Sequence, residues 1–131
     1  MTVASLGLSE VQWECVHFVS ETDGSGVQDQ AGKSRLIEID AARISTKEQL
    51  MSALAAGFSF PEEFGNNWDA LDECLRDLEW LAAPGYVLLL RNSAGLWQCS
   101  PALSGALVQS WLSAAEHWGG QRVPFHLVFA L

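Results

Sequence analysis

The sequence predicts a single α/β domain in which helices cover a mostly parallel sheet of three to four strands. Segments with strand-like patterns alternate along the chain with segments of helical periodicity, which is the order typical of parallel sheets. The run Tyr86–Leu90 (YVLLL) is continuously hydrophobic, as expected of a central strand covered on both faces. With 131 residues, 49% of them hydrophobic, the chain can bury a core without disulfides or a metal.

Two strands are predicted in the first third of the chain. Val11–Ser20 (VQWECVHFVS) is rich in β-forming residues and alternates in part between hydrophobic and polar side chains. The segment 21–34 (ETDGSGVQDQAGKS) is polar and rich in Gly and Ser, which predicts a loop or a loose hairpin. Arg35–Ile39 (RLIEI) then predicts a short second strand.

The first long helix is predicted from a capping pattern. Ser45–Glu48 (STKE) has the spacing of a capping box, in which the serine hydroxyl accepts a bond from an early amide and the glutamate reaches back. Hydrophobic residues follow at helical spacing to about Gly57. The pair Phe60–Pro61 ends the helix, because a proline disfavours helical backbone in the residue before it.

A second helix is predicted after the turn Gly65–Asn67, where the backbone can adopt positive φ and either asparagine can act as the cap. A third begins near Pro101 and ends at Gly119–Gly120, and Val123–Leu131 predicts the last strand. We expect side chains from successive elements to share one core: Leu71, Leu75, Leu89, Trp111 and Val128.

Acidic residues are concentrated in one short stretch that contains a single cation, Arg76. The formal net charge of −9 argues against nucleic acid or an anionic membrane as a ligand, because both would repel the protein. A cationic partner and plain solubility both remain as explanations. The acids of this stretch are Glu62, Glu63, Asp69, Asp72, Glu73, Asp77 and Glu79.

The placement of these acids favours a partner. Asp69 and Glu73 are four residues apart on one helical face, where like charges destabilise a helix by a few tenths of a kcal/mol. The helix dipole favours Asp69 in the first turn but gives no such benefit to Glu73. A repulsion that the protein retains indicates a cationic binding partner rather than a merely solvated helix face.

No catalytic, cofactor or metal site is apparent in the sequence. The three cysteines (Cys15, Cys74 and Cys99) have neither metal-ligand spacing nor the pattern of a disulfide framework. The histidines are scattered, and there is no nucleophile motif or glycine-rich phosphate loop. We therefore expect a protein that is not an enzyme and binds no cofactor. The N-terminus lacks a signal-peptide pattern and no run reaches the roughly 18 apolar residues of a membrane span, so a cytoplasmic location is expected.

The segment 60–75 (FPEEFGNNWDALDECL) resembles the signature segment of the barstar family, which comprises small intracellular inhibitors of secreted ribonucleases such as barnase. The resemblance extends over about residues 35–131 and implies a barstar-like domain there. Residues 1–34 then form an N-terminal strand and loop extension, whose strand extends the sheet. The matching positions are Phe60, Pro61, Phe64, Gly65, Asn67, Asp69, Ala70, Leu71, Cys74 and Leu75.

The resemblance implies that the acidic helix and the loop before it block the active site of a basic secreted ribonuclease. In such an inhibitor, carboxylates occupy the places where RNA phosphates would meet cationic residues of the enzyme. Asp69 matches the first interface acid of the family, and Glu73 stands where its dominant acid, an Asp, would be. The partner-binding residues implied are Glu63, Gly65, Asn67, Asp69, Ala70, Asp72, Glu73 and Arg76.

Three positions depart from the family pattern. Glu63 stands where an aromatic residue is expected in the loop, and Asp72 where a tryptophan is expected on the helix. Arg76 would repel a basic enzyme unless it pairs with Glu73. These departures favour a basic partner other than barnase, and they leave an alternative function: a barstar-like binding or regulatory module whose partner is not a ribonuclease. A further family acid lies near the last helix, where Glu116 is the one candidate.

Overall fold

A computed structural model describes residues 5–131, so the first four residues of the predicted extension 1–34 lie outside the described range. The chain forms the elements β1 (Val16–Val19), α1 (Glu21–Gly24), α2 (Val27–Ala31), β2 (Arg35–Asp40), α3 (Lys47–Phe58), α4 (Trp68–Asp77), β3 (Tyr86–Arg91), α5 (Ala94–Cys99), α6 (Pro101–Gly120) and β4 (Phe125–Ala130), with a short 3-10 turn at Glu79–Leu81. The strands form one parallel sheet in the order β1-β4-β3-β2. The predicted α/β class is therefore confirmed.

Strand β3 lies at the centre of the sheet. Tyr86 pairs with Arg35 of β2 on one side and with Phe125 of β4 on the other. All five residues of the run 86–90 are buried, as predicted for a strand covered on both faces. The first strand, β1, pairs with the outer side of β4, so the N-terminal segment does extend the sheet.

Helices cover both faces of the sheet. On one face α3, α4 and α6 enclose the larger core, in which Leu71 and Trp111 are fully buried. On the other face, Leu8 of the N-terminal segment packs with Val27 and Ala31 of α2 over a smaller core. The sheet is thus the middle layer of three.

The prediction of one shared core is wrong. Leu71, Leu75 and Trp111 belong to the larger core, whereas Leu89 and Val128 belong to the smaller core on the opposite face. Successive side chains of a strand point to opposite faces of the sheet. A strand that is hydrophobic throughout gives no sequence sign of which residues face which layer.

The N-terminal segment differs from its prediction in two respects. Of the predicted strand Val11–Ser20, only the four residues of β1 pair with the sheet. The segment 21–34, predicted as a loop or hairpin, contains α1 and α2.

The Gly and Ser residues that indicated a loop have specific roles in α1. The hydroxyl of Ser20 caps this helix by accepting a hydrogen bond from the amide of Asp23 at 3.0 Å. Gly24 lets the helix approach β4 closely, because a Cβ at this position would lie 2.8 Å from the Cβ of Ala130. A composition typical of loops therefore produces a capped helix packed on the sheet.

The cap of α3 lies one residue later than predicted. Thr46 Oγ1 accepts from the amide of Gln49 at 3.1 Å, and Gln49 Oε1 accepts from the amide of Thr46 at 3.2 Å. The capping box is therefore Thr46–Gln49 and not Ser45–Glu48, since both overlapping segments have the required spacing. The helix ends at Phe58, one residue beyond the predicted Gly57.

The C-terminal part contains one helix that the sequence did not reveal. Helix α5 precedes α6, which begins at Pro101 as predicted and continues through Gly120. Strand β4 begins at Phe125, two residues after the predicted start at Val123. The predicted order of the major elements is confirmed.

Two histidines join β1 to β4 on the face of the smaller core. His17 Nε2 and His126 Nδ1 are 2.9 Å apart, and His126 Nε2 lies 2.7 Å from the carbonyl oxygen of Glu10. Because a carbonyl only accepts, His126 Nε2 carries the proton, its Nδ1 accepts, and His17 Nε2 donates. Burial and, secondly, the charge of His126 lower the pKa of His17 from 6.5 to about 4, and burial lowers the pKa of His126. The pair is neutral in the folded protein at pH 7.

Candidate partner-binding surface

Aromatic side chains hold the loop that joins α3 to α4. Phe60 packs between Phe64, at a centroid distance of 4.8 Å, and Trp80, at 6.1 Å. The indole N–H of Trp80 donates to the carbonyl of Phe58 at 2.9 Å, which fixes the end of α3 to the same cluster. The backbone before the acidic helix is therefore attached to the core.

The two asparagines of the turn before α4 have different roles. Asn66 takes the positive φ of the turn, 54°. Asn67 caps the helix: its Oδ1 accepts from the amide of Ala70 at 2.8 Å and its Nδ2 donates to the carbonyl of Gly65 at 3.2 Å. A Cβ at Gly65 would lie 3.0 Å from this Nδ2, so glycine leaves room for the cap. The predicted turn and cap are both confirmed.

Helix α4 is fixed from its inner side. Leu71 and Leu75 are fully buried in the larger core. Trp118 of α6 donates its indole N–H to the carbonyl of Leu75 at 2.7 Å, which satisfies a carbonyl in the last turn, where helices leave such groups free. These contacts fix the position of the α4 backbone and therefore the position of its outer face.

The outer face carries acids without cationic partners. Across residues 5–131 the ion pairs are those of Arg91, with Glu21 and with Glu38. None of the seven carboxylates of the acidic stretch takes part in either pair. Six of them are exposed to solvent: Glu62, Glu63, Asp69, Glu73, Asp77 and Glu79.

The thiol of Cys74 shows that loop and helix acids form one negative region. Burial raises the pKa of this thiol, and the carboxylates of Asp77, Glu73 and Glu63 raise it further. A carboxylate raises the pKa of a neighbouring thiol by repelling the thiolate. Glu63 of the loop and Glu73 of the helix therefore both contribute to the negative potential at Cys74.

Asp72 differs from the other acids of α4. It is half-buried, and its Oδ1 is buried without a hydrogen-bond partner. A buried acceptor that lacks a partner costs about 1–3 kcal/mol. This residue points partly inward and contributes less to the exposed negative surface than Asp69 or Glu73.

Arg76 faces solvent without an acidic partner. It is exposed, and the described chain contains no ion pair between its guanidinium and Glu73. Of the two arrangements considered for Arg76, pairing with Glu73 or facing outward, the structure has the second.

The residues predicted to bind a partner lie on α4 and in the loop that precedes it. Ala70 and Asp72 are half-buried, and the other six are exposed: Glu63, Gly65, Asn67, Asp69, Glu73 and Arg76. Trp80 and Trp118 hold this surface from behind, and their roles were not predicted from the sequence. Their bonds reach backbone carbonyls 22 and 43 residues away, so no local pattern could indicate them.

Comparison with known families decides the relationship that the segment 60–75 suggested. A model of the family described as "Barstar (barnase inhibitor)" matches residues 34–130, which is most of the chain. The chain belongs to the barstar family. No curated protein matches it. The matched residues include β2, β3, β4, the acidic helix and its loop. The elements β1, α1 and α2 precede the match.

The barstar family is described by the inhibition of an enzyme and not by a reaction of its own. In the part of the chain that the structure describes, no group of three or more His, Cys, Asp or Glu side chains is placed to hold a metal ion. No helix there combines the length and the apolar character needed to cross a membrane. Glu116, the acid of the last helix, lines a groove with Val11 and Trp13.

Proposed function

We propose that this barstar-family protein is an intracellular inhibitor of a basic secreted ribonuclease and that α4 and its preceding loop block the active site. The observation that supports this is an exposed run of unpaired carboxylates on a backbone held from behind by Trp80 and Trp118. An enzyme that binds RNA needs cationic groups for the phosphates, and carboxylates can take the phosphate positions.

The energetics of the acidic surface favour such a complex. In the free protein, Asp69 and Glu73 repel each other across one helical turn. A cationic cleft replaces this repulsion with attraction between opposite charges in a site from which water is excluded. Because the loop and α4 are already fixed, association costs little conformational entropy.

The smaller residues of the surface allow close approach. Gly65 exposes backbone between the loop and the helix, and Ala70 lies beside it with a small side chain, since a Cβ at Gly65 would be 3.7 Å from that of Ala70. We assign Asp69 and Glu73 the largest contributions and Gly65 and Asn67 backbone contacts. In a cell that meets ribonuclease toxins, such an inhibitor provides immunity.

A second candidate function rests on the positions that depart from the family pattern. Glu63 is exposed in the loop, and Arg76 presents an unpaired cation to a basic partner. These features favour a barstar-like binding or regulatory module whose basic partner is not a ribonuclease. In either case, Arg76→Ala should speed association with the partner, because a repulsive charge is removed.

The decisive experiment measures binding and inhibition with a panel of small basic secreted ribonucleases. Asp69→Ala and Glu73→Ala should each weaken the complex by about 2–5 kcal/mol, because the cation opposite is left buried and unpaired. Glu48→Ala is the matched control, since Glu48 is exposed in the first turn of α3, whereas the loop follows the other end of that helix. Salt should slow association, with screening over about 8–10 Å near physiological ionic strength.

The outcomes separate the two functions. Loss of ribonuclease activity on binding supports the inhibitor. Capture from a native cytoplasm of a basic protein that does not cleave RNA, with the same dependence on Asp69 and Glu73, supports the second function. If neither variant differs from Glu48→Ala towards any basic protein, the acidic surface is not the binding site. RNA hydrolysis by the purified protein itself, lost in Asp69→Asn, would contradict both.

A further inference from the structure

An apolar groove lies between the segment that precedes β1 and one side of α6. Val11, Trp13 and Cys15 form one wall, and Leu112, Ala115 and Glu116 form the other. The groove has a volume of about 840 Å³, and no residue of α4 or its loop lines it. One wall precedes the family match at residue 34, so the groove is an addition to the barstar-family part of the chain.

The groove is bordered by hydrophobic side chains that are exposed to water. Trp13 is 98% exposed, and Val11 and Leu112 are 48% and 46% exposed. Burial of a large hydrophobic side chain is favourable because it removes apolar area from water. Contiguous exposed apolar surface of this kind marks interaction sites in soluble proteins.

We propose that the groove is the dimerisation surface for a second copy of this chain, with Trp13 of each copy inserted into the groove of the other. A twofold interface requires that one patch carry both the projecting group and the cavity that receives it. Trp13 projects from the rim of the groove, so a single patch meets both requirements.

The charges around the groove are complementary under the same symmetry. Val11 separates the groove, which carries Glu116, from a neighbouring depression that carries Lys33 and Arg122 together with Glu10. Across a twofold axis, one side of the patch faces the other side of the partner's patch. Glu116 of each copy would therefore face Lys33 and Arg122 of the other, which offsets locally the repulsion between two chains of net charge −9.

The size of the patch indicates a weak dimer. Three exposed apolar side chains from each copy bury less than the roughly 1,200 Å² at which lasting interfaces begin. The dimer should therefore dissociate on dilution in the micromolar range. Because α4 takes no part, a dimer keeps both acidic surfaces free.

Analytical ultracentrifugation over a concentration series tests this dimer. The wild-type chain should show a monomer–dimer equilibrium, and Trp13→Ala should lower the association constant about tenfold or more, as central aromatic residues of interfaces do. Because Trp13 is almost fully exposed, its removal should leave the far-UV spectrum and the unfolding midpoint unchanged. Leu131→Ala is the control, since Leu131 is 47% exposed but lies outside the groove.

Charge reversal tests the orientation of the two copies. Glu116→Arg and Arg122→Glu should each weaken the dimer, and the double variant should regain most of the association. A chain that stays monomeric up to about 1 mM, or a dimer that Trp13→Ala leaves unchanged, overturns the proposal. A double variant that associates no better than the single variants also overturns it.

Discussion

The face of the sheet that carries α3, α4 and α6 differs from the opposite face in size, composition and place relative to the family match. The first face encloses large aromatic and leucine side chains, and apart from Cys15 its buried residues lie within residues 34–130. The second encloses fewer and smaller side chains, including Val27 and Ala31, and its cover precedes residue 34. It also carries the pair formed by the half-buried His17 and the buried His126.

The cores on the two faces of the sheet therefore have different roles in the molecule. The larger core holds α4 through Leu71 and Leu75 and so determines where the acidic surface lies. The smaller core closes the other face of the sheet without touching that surface. We therefore expect changes in the smaller core to lower stability while they leave partner binding by the folded molecules intact.

The largest effect is expected in the larger core. Trp111 is fully buried and stacks on Phe125 at a centroid distance of 4.0 Å. Trp111→Ala should lower the free energy of unfolding by about 3–5 kcal/mol, because both hydrophobic burial and packing are lost. Urea denaturation measures this. Ser113, an exposed neighbour, provides the control. If Trp111→Ala lowers the free energy of unfolding no more than Ser113→Ala does, Trp111 is not part of a packed core.

The smaller core should respond to Leu89→Ala with a loss of about 2–5 kcal/mol, the range for a buried leucine. Leu89 is 2% exposed and faces α2 and Leu8. The affinity of the folded fraction for its partner should remain that of the wild type. An unchanged denaturation midpoint would refute the burial of Leu89, and a weaker affinity would show that the two faces are coupled.

Acidic pH should lower the stability of the protein through the face of the sheet that carries His17 and His126. The folded-state pKa of His17 is lowered from 6.5 to about 4, so the unfolded chain binds a proton that the folded chain does not. The stability contributed by the neutral histidine is fully present above about pH 6.5 and is lost as the pH falls to about 4, by about 2–3 kcal/mol. Unfolding measured between pH 7.5 and pH 4.5 gives this slope.

His17→Gln is the control for this pH dependence. Glutamine can still donate to His126 Nδ1, but it does not titrate. The variant should lose much less stability than the wild type between pH 6.5 and pH 5. Equal slopes for the two proteins would assign the acid sensitivity to other groups, such as His126, whose pKa is also lowered by burial, or the carboxylates.

The smallest effect is expected at Asp72, on the helix that the larger core holds. Asp72→Ala removes a carboxylate oxygen that is buried without a partner and introduces a better helix former. The free energy of unfolding should rise by about 1 kcal/mol. Glu73→Ala, at an exposed position of the same helix, should stay within about 0.5 kcal/mol of the wild type. A loss of stability in Asp72→Ala would mean that this carboxylate is satisfied after all.

The sequence predicted the parts of the fold that local patterns determine. The hydrophobic run 86–90 identified the central strand, Asn67 was one of two candidate caps, and the i,i+4 spacing placed Asp69 and Glu73 on one face of α4. Each of these features depends on residues that are close in sequence. The acidic stretch could be recognised for the same reason, because it is a single segment.

The features that the sequence missed depend on distant contacts. Leu89 and Val128 could not be assigned to the smaller core, because a continuous hydrophobic strand carries no alternation. Helix α1 required Gly24 to pack against Ala130 at the other end of the chain. The bond from Trp118 to the carbonyl of Leu75 joins two helices across the larger core. Such contacts appear only when the chain is folded.

The pairing of β1 with β4 has a consequence for the order of folding. Val16 lies opposite Leu127, so the two strands that meet are the first and the last of the described chain. Closing so long a loop is slow, because its entropy is lost before any contact compensates for it. On the ribosome, β1 emerges first and has no strand to pair with until β4 is complete. The hydrophobic side chains of β1, such as Phe18, which stacks on Phe129, therefore wait for β4 before they meet their partners in the sheet. We expect β1 to dock as a late step onto a sheet that β2 and β3 have already begun.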